Sequence, residues 1–403
     1  MKLVEQAYNL ITATKTKWAR ARKKQPSNCP LLNNLPPEII KCISDELSPA
    51  SRLVFSQTCR ALYAILNGYR GSAHFVRAQY LEYLSLVARD IPEKWVCEIC
   101  TKLHPMLQGD TPAGPYVVYC PFKLRMRLPI LGWGFQPHFR ILEPYHRHVQ
   151  LALKCTRLQP TVYKTYLRKM LAPYHNPCLQ THISPVGQPN RIQAQYSAFP
   201  RIVENSNGEL RYLILSIWRY HGVNLCHKDV GNLEICPHMK FSSNRQHNFL
   251  CPNGFLGRIL AEGFGLPSGT MSSTATYACP RCSTEIMVAK HQEYVDVCVW
   301  KDLGAESSPL DIRWLIHTRN LPSLCSRSGI QSPEYFASQR AGIVRSLYLT
   351  GPNWPPIALP KPGPPHGTAV YRNTSSRIGV ILRLMSFAII LVTCQREQQL
   401  RMF

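Results

Sequence analysis

The sequence predicts an α+β protein, with an N-terminal unit of three short helices followed by a Cys-rich body of mixed helix and strand for which structural zinc is a candidate staple. Three observations carry this. Helix-start signals crowd residues 31–69. Short apolar runs rich in β-branched and aromatic residues recur between residues 95 and 351, broken by Pro, Gly and polar clusters. Cysteine and histidine recur at ligand spacing within those breaks.

With 403 residues, 45% of them hydrophobic, the chain can bury the core of one or two domains, which excludes disorder throughout. Lys and Arg number 47 against 23 acidic residues, a formal charge of +24, and this favours an acidic partner: nucleic acid, an acidic protein surface or anionic lipid. The densest basic run, KTKWARARKK at 15–24, lies in a basic arm, residues 1–30. It reads either as a nucleic-acid or nuclear-import patch or as a solvated arm. No RNA-recognition, homeodomain or zinc-finger pattern accompanies it, so a nucleic-acid role rests on charge alone. Glu5, Gln6 and Asn9 interrupt the apolar start, which argues against a secretory signal, with a mitochondrial presequence as the lesser alternative. The expected location is intracellular, in cytoplasm and/or nucleus. There sixteen Cys are better explained as buried thiols and metal ligands than as disulfides.

The first helix is expected after Pro36 and Pro37, where a missing N–H is harmless, with Ile39, Ile40, Ile43 and Leu47 as its stripe. Ser48 and Pro49 repeat the start signal. Leu53, Val54, Leu62, Ile65 and Leu66 form the next apolar face, which Asn67-Gly68 ends. A unit of about forty residues seldom stands alone, so a partner or a neighbouring domain must cover part of it. A further helix over 74–88, carrying Phe75, Tyr80, Leu84 and Val87, would couple it to the rest. In the body, residues 70–351, the runs YVVYC (116–120), RYLILSIW (211–218) and YVDVCVW (294–300) read as strands, and 144–158 and 159–171 as helix. The Pro-rich stretch 352–377 reads as a linker. Within 378–403, IGVILRLMSFAIILVTC (378–394) is either a membrane-tethering segment handicapped by Arg383 or an amphipathic helix.

LPPEII, DELSP and SQTCRALY together resemble an F-box, here residues 31–69. WVCEICTKLHP, ICPHMKF, ACPRCSTE and VCVWKDLGAESSPLDIRW resemble blocks of a large group of filamentous-fungal F-box proteins with a Cys-rich C-terminal region, over roughly 31–350. The resemblance implies docking to the acidic Skp adaptor of cullin-RING ubiquitin ligases, with Leu35, Pro36, Ile39, Ile40, Leu53 and Val54 as contacts. The body would then recruit an unknown target, and catalysis would belong to other subunits. The alternatives are an ordinary core hairpin in a basic zinc-containing nucleic-acid-binding protein, or a membrane-tethered interaction protein.

Two cysteine clusters have metal-ligand character. Cys97, Cys100 and His104, with Cys120 further on, offer a Cys3His set. Cys236, His238, Cys279 and Cys282 offer two short ligand pairs about forty residues apart, as in a zinc ribbon, with Cys251 able to replace His238. Buried free thiols are the plain alternative at both. Cys279–Cys282 and Glu293 do not make a deaminase, whose signature runs HxE and then PCxxC. No GxGxxG opening a helix, Walker loop, GxSxG or HExxH is present. His146 and His148 near Glu143 read as exposed helix histidines, and Trp300 as core.

Overall fold

The structure, a computed structural model, describes residues 35–66, 75–115, 141–159, 161–179, 193–222, 224–242, 253–265, 276–318 and 341–350. The basic arm, the strand expected at 116–120 with Cys120, Cys251, and the segments 352–377 and 378–403 fall outside them. Among the described residues no helix is long and apolar enough to cross a membrane.

The N-terminal signals produce three helices: α1 (Pro37–Asp45), α2 (Pro49–Gln57) and α3 (Arg60–Ile65). The apolar face expected to run unbroken from Leu53 to Leu66 is divided at Thr58-Cys59. There Cys59 turns extended, and its Sγ accepts the Leu62 N–H at 3.4 Å to start α3. Ser48 caps α2 by accepting the Ser51 N–H at 3.2 Å. Arg52 reaches back from α2 to the carbonyls of Ser44 and Asp45, both at 2.9 Å. A cation thus sits on the negative end of α1, and the angle between the two helices is fixed. Ile40, Ala50, Leu53 and Leu62 close a small core.

Helix α4 (Arg77–Ala88) joins this unit to the body. Its buried face is Leu81, Leu84 and Ala88, packed with Val96; of the residues expected there, Leu84 is buried, Tyr80 packs at the edge of the cluster and Val87 is half-buried. Glu82 accepts the Ser48 hydroxyl at 2.7 Å, and Tyr83 donates to Gln57 at 3.0 Å, so α4 holds α2 by two side-chain bonds. Lys154 then secures the stretch that follows α4. Its buried ammonium donates to the carbonyls of Ile91 and Lys94 at 3.2 and 2.8 Å, and burial lowers its pKa to about 8.

The body centres on a six-stranded antiparallel sheet of order β3-β4-β5-β10-β9-β8: β3 (Tyr174–Leu179), β4 (Gln193–Glu204), β5 (Leu210–His221), β8 (Thr276–Ala278), β9 (Thr284–Lys290) and β10 (Tyr294–Asp302). The two apolar runs expected as strands are β5 and β10, and they pair with each other, Leu215 opposite Trp300. Both sheet faces are covered, which is why β5 is an almost unbroken apolar run. One face, carrying Ile214, Trp218 and Tyr220, meets α5 (His146–Leu158) and α7 (Asn253–Gly265). The other meets α9 (Ile343–Leu349), whose first N–H groups, those of Val344 and Arg345, are accepted by the buried Glu285 carboxylate at 2.8 and 3.0 Å. Trp300 is buried on this face, as expected. After α5, Gln159 adopts a left-handed conformation and a 3-10 turn leads into α6 (Lys164–Met170), so the helices expected over 144–171 are two.

Two small hairpins complete the body, β1 (Lys94–Cys97) with β2 (Lys102–Pro105) and β6 (Asn232–Cys236) with β7 (Met239–Ser242). A short helix α8 (Ile312–Thr318) follows β10. His148, expected as exposed, is fully buried. Its Nε2 lies 3.1 Å from Asp110, which also binds Arg147 through two bonds of 2.6 and 2.9 Å. His146 is likewise turned inward against Trp314. The first turn of α5 packs into the body, so periodicity alone misplaced both rings.

Two outcomes follow. Burial raises the Asp110 pKa, but the hydrogen bonds and charges of Arg147 and His148 outweigh it and hold the carboxyl well below the usual range. Its stabilising contribution is therefore complete above the ordinary carboxylate pKa, near 4, and is lost as pH falls below that value. Asp110→Ala, which strands a buried guanidinium, is expected to cost about 3–5 kcal/mol at pH 7 in urea unfolding. Second, a Cβ added at Gly263 on α7 would lie 2.5 Å from Val288 Cβ. Gly263→Ala should lower stability by about 1–3 kcal/mol in urea unfolding despite the better helix propensity of Ala, because the clash is with Val288 Cβ, which no rotamer change can move.

Candidate functional site

The N-terminal module has already used part of its apolar stripe. Ile40 and Leu53 are buried inside it, whereas Ile39 and Ile43 are each 46% exposed and Tyr63 on α3 is 54% exposed. Pro36 is exposed, and Leu35 and Val54 are half-buried. Ile39 and Ile43 stand four apart and so share one side of α1. The six expected contacts therefore divide into a structural pair, Ile40 and Leu53, and four that still offer surface. Ile43 and Tyr63, absent from the expected set, are exposed apolar side chains on the same module.

In the body the structure brings both cysteine clusters together. Cys97, Cys100 and His104 have their ligand atoms within 4.8 Å of one another. The β1–β2 hairpin does this locally. Thr101, at φ 51°, closes the turn by donating its N–H to Cys97 at 3.0 Å, and the register sets His104 opposite Trp95. The His104 ring stacks on Trp95 at 5.0 Å, and its Nε2 lies 3.0 Å from Cys100 Sγ. Burial, then Lys102 and Lys94, lower the His104 pKa and favour the neutral ring that a metal ligand requires. Cys120, expected as the fourth ligand, lies outside the described residues.

Cys236, His238, Cys279 and Cys282 form the second group, again within 4.8 Å. Here the convergence is tertiary. A register irregularity at Cys236 turns the β6–β7 hairpin so that Cys236 and His238 face the β8–β9 turn, which carries Cys279 and Cys282. That turn is pinned by Cys279 N–H to Thr284 at 2.8 Å and Thr284 N–H to Cys282 at 2.7 Å. Tetrahedral zinc with Zn–S near 2.3 Å implies sulfur pairs about 3.8 Å apart. Cys236 and Cys279 are separated by 3.8 Å, and His238 Nδ1 lies 3.8 Å from Cys279 and 4.0 Å from Cys236.

Charge agrees with that geometry. Hydrogen bonds from Cys236 and Cys282 pull the Cys279 thiol far below its usual range. The bond to Cys279 raises Cys236 to about 12, and bonds to Cys236 and Cys279 raise Cys282 as well. Three thiols in hydrogen-bond reach of one another are groups whose remaining protons a dication can replace. The donor set fits structural zinc with four protein ligands and no open position.

One feature had no sequence signal. Parts of both hairpins, the start of α5, β5, β10 and α8 enclose a cavity of about 470 Å3 whose lining includes Trp95, His146, Ser216, Lys301, Trp314 and His317. From the stretch that follows Trp300, the sequence assigns no residue to a site. That stretch supplies this cavity with Lys301 and Leu303.

Compared with family models, residues 32–70 match the F-box domain. No curated protein and no solved structure matches the chain.

Proposed function

Because residues 32–70 match the F-box domain, and F-box domains generally bind the Skp adaptor of cullin complexes, we propose that this protein is a substrate-receptor subunit of a Skp–cullin–F-box ubiquitin ligase. The observation that carries the reading is the division of the module's apolar residues. Its own core is closed by Ile40, Ala50, Leu53 and Leu62, yet Pro36, Ile39, Ile43 and Tyr63 remain exposed on it. Exposed aliphatic side chains on a rigid, capped helix supply adaptor contact without disturbing the fold. Leu35 and Val54 border that surface. The body holds the target, and the module's bonds to α4 fix its position relative to the body. The ligase's chemistry resides in the other subunits.

Zinc in this reading is structural. Cys236, His238, Cys279 and Cys282 hold one ion and join two hairpins distant in sequence; Cys97, Cys100 and His104 of the β1–β2 hairpin supply three ligands for a second, with Cys120 the fourth expected from the sequence. Both hairpins wall the cavity, so the ions keep its shape.

Capture of the Skp adaptor by the full chain tests the docking role. The double change Ile39→Glu, Ile43→Glu should weaken capture at least tenfold while leaving the melting temperature unchanged, since both side chains are exposed. Ile40→Ala should instead cost about 2–5 kcal/mol of stability, because it opens a buried cavity. Capture should persist at raised salt, as apolar contact does. A folded chain that fails to capture the adaptor refutes the assignment. For zinc, metal analysis of the reduced chain should show that Cys279→Ser and Cys282→Ser each lose one equivalent and melt at lower temperature; a metal-free wild type with the same melting point as the zinc-supplemented protein would count against it.

A further inference from the structure

The cavity between the hairpins has an interior chemistry distinct from its mouth. At 470 Å3 it lies within the range of sites that enclose small ligands. Among its lining residues, both ring nitrogens of His317 and the Nδ1 of His146 are buried and make no close, well-aligned hydrogen bond among the described residues, with the Asp302 backbone in reach of His317 and the Ser307 backbone in reach of His146. Buried polar atoms of this kind are rare in a folded protein and call for a ligand or an ordered solvent partner.

One lysine and one helix N-terminus face the same cavity. Lys301 points from β10 to the α5 side of the sheet, since it pairs with Ile214, a residue of that face. No ion pair engages it among the described residues. The N-terminus of the 13-residue α5 opens on the cavity through Tyr145, His146 and Arg147; His148 Nδ1 accepts the Tyr145 N–H at 3.2 Å, and the Tyr145 side chain makes no cap bond. Arg147 adds no free charge, because Asp110 binds it through two bonds. Acidic residues also line the cavity. Glu234 is spent on Lys240 at 2.8 Å and Glu143 is exposed, while Glu98 is half-buried. Trp314, Leu303, Ile235 and Pro309 supply an apolar wall.

We propose that this cavity binds the free carboxylate of an apolar C-terminal residue of a target polypeptide. Lys301 and the first turn of α5 receive the carboxylate, His317 and His146 gain well-aligned partners, and the side chain packs on Trp314 and Leu303. A single anionic group fits the interior, and the carboxylates among the lining residues disfavour further acids in the segment behind it. The proposal rests on the receptor reading and names the class of target it would hold.

Trp95 and Trp314 in the lining allow binding to be followed by intrinsic fluorescence on the full chain. The probes are N-acetyl-leucine, N-acetyl-leucinamide, acetyl-Ala-Ala-Leu with a free C-terminus, and inorganic phosphate. The acid should bind at least about tenfold more tightly than the amide, the range expected for a charge-assisted hydrogen bond. The tripeptide should bind at least as well as the acid, and phosphate more weakly. Lys301→Met should erase the preference for acid over amide while keeping the wild-type melting temperature. Equal binding of acid and amide, or binding of neither, overturns the proposal. Phosphate binding as tightly as the acid overturns it in favour of a free-oxyanion site, and a tripeptide weaker than N-acetyl-leucine overturns the polypeptide source. Adaptor capture measured on the same preparations separates the two readings. Capture without probe binding removes the cavity proposal alone, and probe binding without capture removes the receptor assignment and leaves a carboxylate site.

Discussion

The pairing of β5 with β10 is the constraint on which the body depends. It runs from Tyr294 opposite His221 to Asp302 opposite Leu213, and a bidentate ion pair marks each end, Arg219 with Asp296 and Arg211 with Asp302. All four charged side chains are mostly buried, so a slip of one residue would strand them and turn every apolar side chain of the strand to the wrong face. The register is therefore set twice, by charge at the ends and by Leu213, Leu215 and Ile217 between them.

Much of the chemistry follows from that pairing. Closing β5 on β10 gathers residues 222–293 into a single excursion, which contains β6–β7, α7 and β8–β9. The excursion must return to the sheet with β9 against β10, and this carries Cys279 and Cys282 to the turn that holds Cys236 and His238. The same register sends Lys301 to the α5 face and Trp300 to the α9 face, because neighbouring side chains of a strand alternate. One strand thus contributes a core aromatic to one side and a cavity cation to the other.

The link between the N-terminal module and the body has a different character. It is a short relay: Ser48 to Glu82, Tyr83 to Gln57, Leu81 and Leu84 against Val96, and Lys154 on the carbonyls of Ile91 and Lys94. The contacts run from α2 to α4, from α4 to β1, and from α5 back to the stretch between α4 and β1. Such a relay fixes the N-terminal helices relative to the sheet through a few specific bonds.

By itself the sequence determined whatever is encoded locally. Proline pairs and Ser48 mark the helix starts, β-branched and aromatic runs mark β5 and β10, and the Cys97–Cys100 spacing marks a pair of converging thiols, since caps, propensity and short loops act within a few residues. The order of those signals over 31–69 also made the match to an F-box domain legible. Tertiary structure alone decided which apolar residues of that module are spent in its core and which face outward, because Ile39 and Ile40 are chemically identical and differ only in what packs on them. It likewise decided that His148 is buried against Asp110, that Cys236 meets Cys279, and that Lys301 lies beside the start of α5. Such juxtapositions join residues tens of positions apart, and their energy comes from burial and pairing that exist only once the sheet has closed.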